Sequence, residues 1–163
     1  MTLDQYIENV ASKYKLGNAT EHTFRGTLEQ LIETIVPDIR ATNEPKRQSC
    51  GAPDYILNKV KKDIPIGFIE AKDIGDKDLA GAKKTGNKEQ FDRYKASLGN
   101  LIFTDYLDFH LYRDGQFVTK IAIGEITDKG IVPLTENFSS FENLIKEFCT
   151  HVGQTIKSSK KLA

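Results

Sequence analysis

At 163 residues the chain is long enough to bury one sizeable core without staples, and it reads as a single domain spanning 1–163. A hydrophobic fraction of 39% beside 28% charged residues is ordinary for a globular protein, and no apolar run approaches the ~18 residues of a membrane span. Net charge is zero, which excludes a general electrostatic coat for nucleic acid but not a local one. Residues 40–95 hold thirteen bases and nine acids, whereas the flanking stretches are acidic. That asymmetry fits a local phosphate-facing surface about as well as it fits a solvated charged face. Cys50 and Cys149 lie far apart without metal-ligand spacing. They read as reduced thiols of a cytoplasmic protein with no membrane partner.

Taken in chain order, Leu3, Tyr6, Ile7 and Val10 predict a short amphipathic helix over 3–14. Phe24, Leu28, Leu31, Ile32 and Ile35 recur at helical spacing in a second helix from Thr20 to Val36, which Pro37 ends. The polar stretch 41–50 reads as a loop. Two strands are expected over 53–60 and 66–72, joined by a lysine-rich turn and followed by a polar, glycine-rich loop over 73–87. Asn87 is a plausible N-cap for a helix to Leu98. Strands follow at 101–104 and 108–112, and Asp114-Gly115 marks a hairpin turn into 116–123. Ser139 and Glu142 have capping-box spacing before a last helix carrying Phe138, Phe141, Ile145, Phe148 and Val152. The order predicts an α/β domain with a mixed central sheet flanked by helices.

Several residues in this frame carry potential chemistry. Along a strand, Glu70 and Lys72 share a face while Ile69 and Ala71 point the other way. Alone, Glu-x-Lys is most often a surface ion pair. Asp54, after Gly51-Ala52-Pro53, would ordinarily be a turn residue, but an antiparallel pairing of the two strands brings it beside Glu70. Two adjacent carboxylates repel unless a cation lies between them. Hard oxygen donors with open positions suit Mg²⁺.

On the second helix, a rotation of about 100° per residue puts Glu21 on the buried stripe and turns Glu29 and Glu33 toward solvent. Arg25, one turn on at the stripe's edge, could hold Glu21 or a phosphate. Gln90 and Tyr94 are four apart and share a helical face, although Tyr94 equally suits a core with Phe91 and Leu98. His22, His110 and His151 have no ligand spacing.

Together these residues resemble a known pattern. Pro53-Asp54, then Glu70-x-Lys72 sixteen residues later, resembles the motif of the PD-(D/E)XK nucleases. Gln90-x-x-x-Tyr94 is similar to a motif of that superfamily's exonuclease-like branch. The strings Glu21 to Arg25, Gly51 to Asp54, Phe68 to Asp73, Gln90 to Tyr94 and Asn100 to Asp105 occur in that order. They look like the N-terminal nuclease domain of single-chain restriction-modification enzymes. The resemblance covers roughly residues 18–113. Such enzymes continue into helicase or methyltransferase regions, and this chain carries no Walker loop and no methyltransferase motif.

The resemblance implies a restriction-endonuclease-like core and a Mg²⁺-dependent DNA endonuclease, with Mn²⁺ able to substitute. Hydrolysis leaving a 5′-phosphate and a 3′-hydroxyl is implied as well. Asp54, Glu70, the Ala71 carbonyl and Glu21 are the expected metal ligands, and Lys72 is the expected catalytic lysine. Gln90, Tyr94, Arg25, Lys83, Lys84 and Lys88 are expected to contact the DNA backbone. Helicase or translocase, methyltransferase and specificity regions, in the same or another chain, are the implied partners. Two other expectations remain open: a structure-specific nuclease such as a junction resolvase, or a degenerate nuclease fold serving DNA binding or assembly.

Overall fold

The computed structural model describes residues 1–43, 53–62, 64–83 and 86–151, and of Glu21 the backbone alone. Helix α1 (Leu3–Lys15) starts at a capping box: the Thr2 hydroxyl accepts from the Gln5 amide while the Gln5 side chain accepts from the Thr2 amide. The second predicted helix divides in two, a 3₁₀ turn over Glu21–Phe24 and helix α2 (Arg25–Ile35). Because a 3₁₀ turn advances about 120° per residue, the helical phase cannot be carried back to Glu21.

Six strands follow: β1 (Ile39–Asn43), β2 (Tyr55–Lys59), β3 (Pro65–Ala71), β4 (Asn100–Thr104), β5 (Asp108–Arg113) and β6 (Gln116–Ala122). They lie in sheet order β1 to β6. All neighbours are antiparallel except β3 and β4, which pair in parallel. A parallel pair needs a crossover, and helix α3 (Lys88–Ser97) supplies it. Asp114 (φ 51°) and Gly115 (φ 80°) both take positive φ in the β5–β6 turn, as a two-residue hairpin requires.

The fold also holds strands that the sequence pattern did not predict. β1 begins within two residues of the loop expected from Ala41 and forms the sheet's edge. It is blunted from α2, where the Ala41 amide donates to Glu33 (2.9 Å) and the Asn43 side chain donates to Glu29. Glu29 and Glu33 therefore close an edge rather than simply facing water. A second hairpin, β7 (Gly124–Thr127) with β8 (Gly130–Pro133), packs on α1. Helix α4 (Phe138–Thr150) starts at Asn137 behind a 3₁₀ turn, so Ser139 lies inside the helix and its expected capping box does not form. Val152, assigned to the same apolar face, lies outside the described residues.

The two faces of the sheet are covered unequally. On one, α1, α2 and α4 bury a large cluster with Tyr55, Leu57, Ile69, Ala71, Ile102, Phe109 and Leu111. On the other, α3 alone covers a smaller one containing Phe68, Leu101, Phe103, Phe91 and Tyr94. Strand alternation makes the split: Phe68 faces α3 while Ile69 faces the larger cluster. Helix α4 seats closely at Gly67, where an added Cβ would fall 2.5 Å from Phe148 Cζ. Buried Asn100 fastens it there, donating to the carbonyls of Ile66 (3.0 Å) and Phe148 (2.9 Å). Among the described residues no helix is long and apolar enough to cross a membrane. Cys149 is a buried free thiol, and Cys50 lies outside the described residues.

Candidate active site

Strand parity puts Glu70 on the smaller-cluster side of β3, next to Phe68. The antiparallel register pairs Tyr55 with Ile69, so the residue before β2 arrives beside Glu70. Asp54 and Glu70 are indeed together: the Asp54 amide donates to Glu70 Oε1 (3.2 Å), and the Ala71 amide donates to Asp54 Oδ2 (2.7 Å). Both carboxylates are buried, with 8% of Asp54 and 4% of Glu70 exposed. Burial, and after it the negative charge of Asp54, push the Glu70 carboxyl well above the usual range; Lys72 works in the opposite sense.

Three cationic or polar groups surround the pair. Lys72, just past β3, is held where its amide donates to the Thr104 carbonyl (2.8 Å). Its ammonium lies 3.4 Å from Glu70 Oε2, donates to Gln90 Oε1 at 2.6 Å and sits 5.7 Å from the centre of the Phe91 ring. Arg25, the first residue of α2, reaches across to Asp54, with Nη2 2.5 Å from Oδ1. The Tyr55 hydroxyl in turn donates to the Arg25 carbonyl (2.9 Å), tying the start of α2 to β2. One end of the sheet thus gathers Asp54, Glu70, Lys72, Gln90 and Arg25 from four separate segments.

The remaining expected site residues divide. Ala71 closes β3, its amide committed to Asp54 and its carbonyl at the strand's end. Glu21 opens the 3₁₀ turn one helical turn before Arg25, and its carboxylate lies outside the described part. Tyr94, expected at the DNA surface, is 2% exposed and packed in the smaller cluster with Phe91 and Leu98. The reason is the apolar stripe of α3: its position there serves the core, while Gln90 at the helix start turns toward Lys72. Lys83 is exposed in the loop before α3. Lys88 makes an exposed pair with Asp92 (2.7 Å). Lys84 lies outside the described residues.

Sequence reasoning assigned no role to Asp105 or Asp78; Asp105 organises the chain just past Lys72, and Asp78 the loop that leads to α3. Asp105 accepts from the amides of Leu107 (3.0 Å) and Asp108 (2.8 Å) and, across the turn, from Gly75 (3.1 Å), three residues past Lys72. The string Asn100 to Asp105 was a signal for it without a role attached. Among the described residues, no three His, Cys, Asp or Glu side chains gather as a metal-binding group. Asp54 and Glu70 form a pair. Chemically the arrangement offers two adjacent carboxyl groups as oxygen donors, a lysine held beside them and an arginine against Asp54.

No protein-family model matches the chain, and no curated protein does. Among solved structures it is similar to one described as a cryo-electron microscopy structure of a DrdV–DNA complex, with a TM-score of 0.63 at 17% identity. The match covers 93% of this chain and 14% of that one, so the chain spans a small part of its neighbour's length. At this identity the likeness is one of fold, and the fold is the expected α/β, restriction-endonuclease-like core.

Proposed function

We propose that this chain is a Mg²⁺-dependent DNA endonuclease domain that hydrolyses phosphodiester bonds within a restriction-modification system. The observation that carries the reading is the meeting of Asp54, Glu70 and Lys72 at one end of the sheet, with Gln90 bonded to the lysine. DNA enters the proposal from the same chemistry, and from a fold neighbour whose structure is a DNA complex.

The donor set fits a hard divalent cation. Two buried carboxylates side by side leave Glu70 with an unfavourable charge that a divalent ion relieves. Asp54, Glu70 and the Ala71 carbonyl would hold such an ion, Glu21 would add a further oxygen, and Mn²⁺ would substitute for Mg²⁺. When bound, such an ion supplies positive charge at the scissile phosphate and acidifies a water.

The chain's own residues do the rest. The Ala71 amide and Arg25 fix the two oxygens of Asp54, which sets the carboxylate's plane. Gln90 and Glu70 hold the Lys72 Nζ, which orients the attacking water and balances charge building on the phosphate. Arg25, Gln90 and the lysines at 83, 84 and 88 contact the DNA backbone, which positions the duplex without reading its sequence. Tyr94 contributes by packing α3, which carries Gln90. One such centre cuts one strand, so double-strand cleavage needs two copies. Helicase or translocase, methyltransferase and specificity regions are the proposed partners, in keeping with the 14% of the neighbouring chain that this domain spans.

The test is cleavage of supercoiled plasmid by the purified chain with Mg²⁺, Mn²⁺ or EDTA, beside Lys72→Ala. Nicking that needs the metal and falls by about 10³-fold or more in Lys72→Ala is expected. Nicking that survives EDTA or the substitution overturns the assignment.

A further inference from the structure

The loop between Lys72 and α3 contains a buried carboxylate that the cleavage reading does not use. Asp78 is only 8% exposed, and the groups that meet its carboxylate are backbone amides of its own loop. Both its oxygens are taken by backbone: Oδ1 accepts from Ala82 (2.8 Å) and Lys83 (3.1 Å), and Oδ2 from Lys83 (3.2 Å) and Asn87 (2.9 Å). Asn87 closes the knot, its side-chain amide donating to Asp76 Oδ1 and to the Asp78 carbonyl, each at 2.9 Å. Gly86 lies so close that a Cβ there would fall 2.5 Å from Asp78 Oδ2. Gly81, at φ +69°, leaves room for Phe91, 2.7 Å from where its Cβ would stand.

These contacts have a geometric consequence. One carboxylate holds the amide of Lys83 and the amide of Asn87, and Asn87 immediately precedes α3 with Lys88 and Gln90. At the other end of the loop, Asp105 holds Gly75 behind Lys72. The loop is therefore held near both ends, at Gly75 by Asp105 and at Asn87, just before α3, by Asp78. Burying a carboxylate is unfavourable unless several donors compensate it, and here backbone amides do so, which fixes the loop's shape. Long loops without secondary structure are uncommon in compact domains and are usually functional. Lysines on an ordered loop also lose less conformational freedom on binding than lysines on a floppy one.

We propose that Asp78 is a positioning residue for DNA: by holding the backbone of Lys83 and of Asn87, just before α3, it presents Lys83 and the start of α3 to the phosphodiester backbone. The proposal rests on the nuclease reading and goes beyond it, since Asp78 touches neither metal nor phosphate.

The experiment compares wild type, Asp78→Asn and Lys83→Ala for binding of a fluorescent DNA duplex in Ca²⁺ at low ionic strength, and for plasmid nicking in Mg²⁺. Asp78→Asn is expected to weaken binding and raise KM about tenfold while kcat stays within about twofold, because the chemistry at Lys72 is untouched. Lys83→Ala is expected to weaken binding by a smaller factor and to reduce the dependence of log affinity on log salt by about one phosphate contact. Because Lys83 is exposed, its variant keeps the test sound if Asp78→Asn fails to fold. Unchanged duplex affinity in a folded Asp78→Asn overturns the proposal and leaves the nuclease reading standing; unchanged affinity in Lys83→Ala overturns it as well and removes Lys83 from the proposed DNA contacts, while metal-dependent nicking still supports the centre at Lys72. A wild-type chain that neither binds duplex nor nicks overturns the nuclease reading, and this proposal with it.

Discussion

The two faces of the sheet solve different problems with the same strands. The face under α1, α2 and α4 is apolar nearly throughout, and its polar groups, such as Asn100, serve to fasten one element to another. The face under α3 buries fewer side chains and is bordered at one end by two carboxylates, a lysine and a glutamine. The large face supplies stability by removing apolar area from water. The small face leaves charged groups partly buried, an arrangement unfavourable for the fold. A domain can hold repelling acids at a strand end because the opposite side of the same strand is firmly packed.

This contrast can be broken from the large face first. Phe148→Ala empties the contact over Gly67, and about 3–5 kcal/mol of unfolding free energy should be lost. Denaturant unfolding measures that loss, and nicking by the still-folded fraction should be retained. A loss below about 1 kcal/mol would mean that α4 is not essential packing for β3.

Asn100→Ala removes two hydrogen bonds to buried carbonyls and should cost about 1–3 kcal/mol by the same assay. Here the fastening of α4, rather than its packing, is in question.

The small face should respond in the opposite sense. Glu70 is buried beside Asp54 and its carboxyl is held above the usual range, so the unfolded chain releases this proton more readily than the folded one. The unfolded chain therefore binds fewer protons as pH rises above the ordinary carboxylate value, and this group's contribution to stability falls with rising pH. Glu70→Gln removes that dependence and should raise stability near neutral pH by about 1–2 kcal/mol while abolishing nicking. A variant less stable than wild type at neutral pH would show that the hydrogen bonds of Glu70 outweigh its repulsion from Asp54.

Much of this was legible in the sequence because it is local. The helices α1 and α4 and the β5–β6 hairpin announce themselves through apolar periodicity and through Asp114-Gly115, signals that need only neighbouring residues. Even the meeting of Asp54 with Glu70 was accessible, since a single antiparallel turn joins their strands. β1 and the β7–β8 hairpin were not, because strands of four or five residues carry little periodicity and acquire their conformation from partners. The same limit explains Tyr94: spacing puts it on Gln90's side of α3, but only the sheet beneath decides which of the two is covered.

What the chain determined by itself, then, was its alternation and its inventory: which residues share a strand face, where helices run, and that two acids and a lysine lie close together. Only the tertiary structure decided their counter-charges and supports. Arg25 reaches Asp54, Asp105 holds Gly75, and Tyr55 fixes the start of α2, across separations of about 30 residues in each case. Such contacts depend on how whole elements dock, and docking is set by buried area and shape, which no local pattern encodes.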